Sequence, residues 1–67
     1  MSGILTEREK KVFKLLVFGL DTKEIGEELS ISDKTVRNHI SNVIQKLGVN
    51  GRVSAVVELI KLGEISF

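Results

Sequence analysis

The sequence predicts an all-α fold, four short helices in a single domain over residues 1–67. Three observations predict it. Apolar residues recur at three- and four-residue spacing in four successive stretches, and nowhere alternate strictly with polar ones as a half-buried strand requires. Hydroxyl or carboxylate residues suited to capping stand ahead of the first three stretches. Glycine follows the first, third and fourth (Gly19, Gly48, Gly63), where a helix commonly ends in a left-handed residue.

The first helix starts behind Thr6. Thr6-Glu7-Arg8-Glu9 is a capping box, in which the hydroxyl accepts from the residue 9 amide and Glu9 reaches back. Val12, Phe13, Leu15, Leu16 and Phe18 follow as its apolar side, and Gly19 ends it. Asp21 or Thr22 caps the second helix, with Glu24 completing a box from Asp21 and Ile25 and Leu29 as the buried edge. Gly26 lies inside this helix, where glycine costs about 1 kcal/mol relative to alanine. Close approach of the third helix would account for it. Ser30 and Ile31 form a turn, and Ser32 caps a third helix from Asp33 to Leu47 that stops at Gly48. The fourth starts near Asn50-Gly51, carries Val53 to Leu62 and ends at Gly63. Connections of a few residues leave no room for a linker, and there is no repeat or low-complexity segment.

Size and composition narrow the function. A chain of 67 residues buries only about 60% of the surface it exposes when unfolded, so its core is marginal. With no cysteine, neither a disulfide nor a thiolate metal site reinforces it. The longest apolar run, Leu15 to Leu20, is far too short to cross a membrane. Charges begin at Glu7, before an apolar signal region could form, so a cytoplasmic location is expected.

The net charge is only +1, but its distribution is uneven. Residues 7–33 hold seven acids and five bases. Residues 34–57 hold Lys34, Arg37, Lys46 and Arg52 and no acid at all, as a polyanion-binding surface would.

The third helix divides into two faces. Val36, Ile40, Val43, Ile44 and Leu47 share one stripe about 100° wide, the width of a helix resting on a small core. The opposite arc holds Lys34, Arg37, Asn38, Ser41 and Gln45. These are hydrogen-bonding side chains and cations, where an ordinary solvated helix mixes Glu with Lys. Arg, Lys, Asn and Gln pair with base edges in the major groove, and Ser and Thr reach phosphates. A short helix, a tight turn and a longer polar-faced helix together form a helix-turn-helix, spanning residues 22–47.

The fourth helix, residues 52–62, has too much apolar surface for one small domain. Val53, Ala55, Val56, Val57, Leu59, Ile60 and Leu62 cover an arc of about 220°. The same helix of a second chain would cover the excess most simply, although the first helix with Ile65 and Phe67 could do so within one chain. The wheel leaves both edges open as the interface: Ala55, Leu59 and Leu62, or Val53, Val57 and Ile60.

Nothing suggests an enzyme. His39 is the only histidine, no carboxylates cluster near it, and Ser41 two residues on faces elsewhere on a helix. His39 borders the apolar stripe and suits a packing role. No metal site and no cofactor are expected.

These residues carry a resemblance. Leu5-Thr6-Glu7-Arg8-Glu9, Thr22-Lys23-Glu24-Ile25, the run Ile31 to Asn42, and Gln45-Lys46-Leu47-Gly48-Val49 look, in order and spacing, like the LuxR/FixJ-type helix-turn-helix family. Together these blocks cover nearly the whole chain. Within the family the run Lys34–Gly48, with Gly51-Arg52, Ala55 to Leu59 and Gly63-Glu64, is most similar to the small regulators of late spore-coat genes.

The resemblance implies a transcription regulator of double-stranded DNA, with the third helix in the major groove and the fourth as a homodimer interface. It implies base-reading positions at Arg37, Asn38 and Ser41, the last standing where family members often carry Lys. It implies phosphate contacts at Thr22, Lys23, Lys34, Thr35, Asn42 and Lys46. RNA polymerase is a further expected partner, and the nucleoid the expected place. Two alternatives stand beside this reading: the excised output domain of a response regulator, and a small helical protein–protein adaptor.

Overall fold

The computed structural model describes residues 4–66, which form α1 (Glu7–Val17), α2 (Thr22–Leu29), α3 (Asp33–Leu47) and α4 (Arg52–Lys61). Among the described residues there is no strand. The expectations that fall on Phe67 and on residues 1–3 lie outside them.

Local chemistry sets where each helix begins. Thr6 Oγ1 accepts from the Glu9 amide at 3.1 Å, and Glu9 Oε1 accepts from the Thr6 amide at 3.0 Å. Asp21 and Glu24 repeat this box at 2.8 and 2.9 Å. Ser32 caps α3, its hydroxyl accepting from the Thr35 amide at 3.0 Å. The α4 cap, Gly51, makes no side-chain bond. Its neighbours hold α4 by packing instead.

α3 lies at the centre and touches α1, α2 and α4. Its stripe of Val36, Ile40 and Val43 meets Val12 and Phe13 of α1, Ile25 of α2, and Ala55 and Leu59 of α4 in one core, closed by Leu5 and Ile65 at the two ends of the chain. Fully burying an aliphatic or phenyl side chain contributes about 1.5–3 kcal/mol, so this short list holds much of the stability.

Two features fix the angle between α2 and α3. Ser30 leaves α2 in the left-handed region at φ 60°, uncommon for a residue with a Cβ. A Cβ at Gly26 would lie 2.7 Å from the Ile31 carbonyl oxygen and 3.4 Å from the Asp33 nitrogen. The expected close approach at Gly26 is therefore made by the backbone of the turn and by the first residue of α3.

Two expectations about packing are corrected. Phe18 does not join the apolar side of α1: it is 75% exposed, because α1 ends at Val17 and the chain turns away through Gly19 at φ 94°. On α4, Ala55 and Leu59 are fully buried within the chain, so they cannot face a second copy. Of that edge only Leu62 is exposed.

Candidate nucleic-acid interface

α3 presents its outer face intact. Lys34, Arg37, Asn38, Ser41, Asn42 and Gln45 are all exposed, while Val36, Ile40 and Val43 hold the opposite face in the core. Fifteen residues of α3 run about 22 Å, long enough to lie along a major groove. The polar arc is thus mounted on a helix that three others clamp from behind.

The first turn of α3 carries side-chain hydrogen bonds of its own. The Ser32 and Thr35 hydroxyls lie 2.8 Å apart, so Thr35 is engaged by the cap and only half-exposed. Asp33 pairs with Arg37 one turn along, Nη1 donating to Oδ2. The other carboxyl oxygen, Oδ1, is shut off from solvent and has no hydrogen-bond donor of good geometry. The Thr22 hydroxyl beside it still pulls the Asp33 pKa below its ordinary value, more strongly than desolvation raises it, and Arg37 and Lys23 add to the effect. Thr22 and Lys23, from the start of α2, therefore stand beside the first turn of α3. The expected base- and phosphate-facing residues of the two helices are brought to one place.

Lys46 makes a contact within the chain besides the one expected of it. Its ammonium lies 2.6 Å from Glu9 Oε1 and 3.3 Å from the Ile4 carbonyl oxygen, tying the end of α3 to the start of α1. Glu9 is only 4% exposed. Burial raises its pKa, but the Lys46 hydrogen bond, the Thr6 amide and the charges of Lys46 and His39 outweigh burial and hold it below the usual 4.5. The spacing of Glu9 and Lys46, 37 residues apart, hid this pair from any local reading.

His39 is half-buried near that carboxylate, consistent with packing between helices. Among the described residues no three His, Cys, Asp or Glu side chains are grouped to hold a metal ion. Nor is any helix among the described residues long and apolar enough to cross a membrane.

A second surface lies away from the polar arc. Leu16 and Val17 of α1 and Val53, Val56 and Val57 of α4 line an open apolar groove, with Arg52 at its rim. Val53 is 75% exposed and Val57 48%. This is the Val53–Val57–Ile60 edge, with Ile60 partly buried against the core.

Comparison with known proteins agrees with this geometry. The family described as bacterial regulatory proteins, luxR family, matches residues 3–59. The chain is 64% identical over 62 residues to the spore germination protein GerE of Bacillus subtilis (strain 168), spanning 92% of this chain and 84% of GerE. It is 55% identical over 60 residues to the transcriptional regulatory protein DegU of Brevibacillus brevis, spanning 90% of this chain and 25% of DegU. A solved structure of the transcription factor GerE superposes with a TM-score of 0.94 at 59% identity, over 96% of each chain.

Proposed function

The chain belongs to the luxR family of bacterial regulatory proteins and is a GerE-like transcription regulator with that family's DNA-binding domain; from this premise we propose that it reads its sites as a homodimer, with α3 in the major groove. The observation that carries the proposal is the outer face of α3, six exposed polar side chains, two of them cations, in a segment without a carboxylate. Arg37, Asn38 and Ser41 read base edges. Thr22, Lys23, Lys34, Thr35 and Asn42 contact phosphates and set the register. Lys46 supports α3 from within the fold instead.

Val53, Val57 and Ile60 pair across a twofold axis, which would bring two α3 helices to half-sites about 10 base pairs apart. The domain acts in the cytoplasm on the nucleoid, with RNA polymerase as the other macromolecule at its promoters. The identity to the spore germination protein GerE supports a role in sporulation, with late spore-coat genes as the targets that the resemblance implies.

Selection of sites from a random duplex pool, followed by salt titration, tests this reading. The expected outcome is an enriched site of two half-sites, with affinity falling steeply as salt rises because neutralised phosphates release counterions. A pool without enrichment, together with no salt-sensitive duplex binding, would sink it in favour of an adaptor. Sedimentation at tens of micromolar tests the dimer separately, a strict monomer there removing the dimer from the proposal.

A further inference from the structure

We infer that Asp33 is a positioning and specificity-determining residue, whose carboxylate holds the Arg37 guanidinium for a base edge and keeps it off the phosphates. This rests on the reading of Arg37 as a base-contacting residue.

The position of Asp33 is the first reason. It is the acid at the boundary of the carboxylate-free segment, and it stands in the first turn of α3, next to the surface that would meet DNA. There a negative charge opposes phosphate approach. Its favourable interaction with the helix N-terminus does not require Arg37, so the dipole alone leaves the ion pair unexplained.

The anchoring of Asp33 is the second reason. An exposed ion pair one turn apart on a helix ordinarily contributes little, because both side chains are free to leave it. Here one end is not free. Oδ1 is closed off from solvent although the side chain as a whole is 43% exposed, so turning the carboxylate outward would give up the position in which Oδ2 meets Arg37. Oδ2 is thereby presented to Arg37 from a fixed point.

The consequence follows from the shape of the guanidinium, which carries five N–H donors in a planar fork. Asp33 engages Nη1 and leaves the other donors for a guanine, whose O6 and N7 are met by two N–H groups. On random DNA no such acceptor pair is in register. A phosphate that Arg37 reaches there must approach the Asp33 carboxylate, whose charge repels it, whereas the guanine acceptors are neutral. Specific binding is therefore spared a repulsion that non-specific binding meets, so Asp33 widens the gap between them.

Asp33→Asn tests this, since it removes the charge and keeps the shape at a position that tolerates Asn. The probes are a duplex carrying the site recovered by selection and a random-sequence duplex of equal length. The expected result is stronger binding to the random duplex, a steeper salt dependence there by about one phosphate, and a specificity ratio about tenfold lower. Asp33→Glu should restore the ratio in part. The melting temperature checks that the fold is kept, and a merely structural role would move it without moving the salt slope on random DNA.

Arg37→Ala, alone and with Asp33→Asn, separates the two readings. If Arg37→Ala loses discrimination and Asp33→Asn then changes the ratio no further, both stand. If Arg37→Ala loses discrimination but Asp33→Asn leaves the ratio and the salt slope unchanged, the role of Asp33 is overturned and Arg37 remains a base reader. If Arg37→Ala weakens specific and random DNA equally, Arg37 is a phosphate contact, and the role of Asp33 falls with it.

Discussion

α3 and α4 rest on the same core and differ in what they leave outside it. α3 buries Val36, Ile40 and Val43 and turns Lys34, Arg37, Asn38 and Ser41 outward. α4 buries Ala55 and Leu59 and turns Val53 and Val57 outward. Burial of a stripe reports only that a helix belongs to the domain. The outward chemistry is what sets them apart: hydrogen-bond donors and cations suited to a polyanion on α3, aliphatic side chains suited to another protein surface on α4.

The two edges of α4 offer the sharpest contrast. Leu59→Glu places a carboxylate where no solvent reaches, and destabilisation of about 4–5 kcal/mol or more should leave the domain unfolded by circular dichroism. A folded Leu59→Glu variant would mean that α4 is not packed as described.

Seating α3 against α2 is the next largest effect. Gly26→Ala pushes a methyl into the Ile31 carbonyl, backbone that cannot step aside as a side chain would. It should cost about 1–3 kcal/mol in urea unfolding, as overpacking does. Because the same contact sets the position of α3, DNA affinity should fall beyond what lost stability explains.

Lys46 tests whether the end of α3 serves the fold or the DNA. Lys46→Ala leaves Glu9 buried with only the Thr6 amide, at a cost of about 1 kcal/mol once the partial exposure of the lysine is discounted. The pH dependence carries the sign. Because the Glu9 pKa is lowered by folding, its contribution is present above the usual 4.5 and is lost as pH falls through the lower folded value. Thermal melts from pH 6 downward should therefore converge for the two proteins on the acid side. Equal stability at neutral pH with weaker binding to all duplexes would return Lys46 to the phosphates.

Val57→Glu should have the smallest effect on the fold, within about 0.5 kcal/mol for an exposed position. Its expected effect is on association: a folded monomer in sedimentation, with much weaker binding to a two-half-site duplex. A Val57→Glu dimer would move the interface off the Val53–Val57–Ile60 edge.

Much of this protein is a matter of sequence alone. Helix starts were legible because a capping box closes within four residues, as at Thr6–Glu9 and Asp21–Glu24. The polar arc of α3 was legible because a 15-residue helix obeys one period throughout. Gly26 was legible as an anomaly, its reason being a contact only five residues away, at Ile31. What tertiary structure alone decided is pairing at a distance or a choice between equivalent edges. The wheel of α4 is apolar on both sides, and only its seating on α3 shows that Ala55 and Leu59 are the inner edge. The sequence puts Lys46 among the expected phosphate contacts, and only the fold brings it to Glu9. Asp33 and Arg37 have pairing distance on the helix, but that Oδ1 is closed off from solvent with Thr22 of α2 beside it shows only in the fold. Periodicity and capping are short-range properties that a sequence states directly, whereas the partner of a charge or an apolar edge depends on which surfaces the packed helices bring face to face.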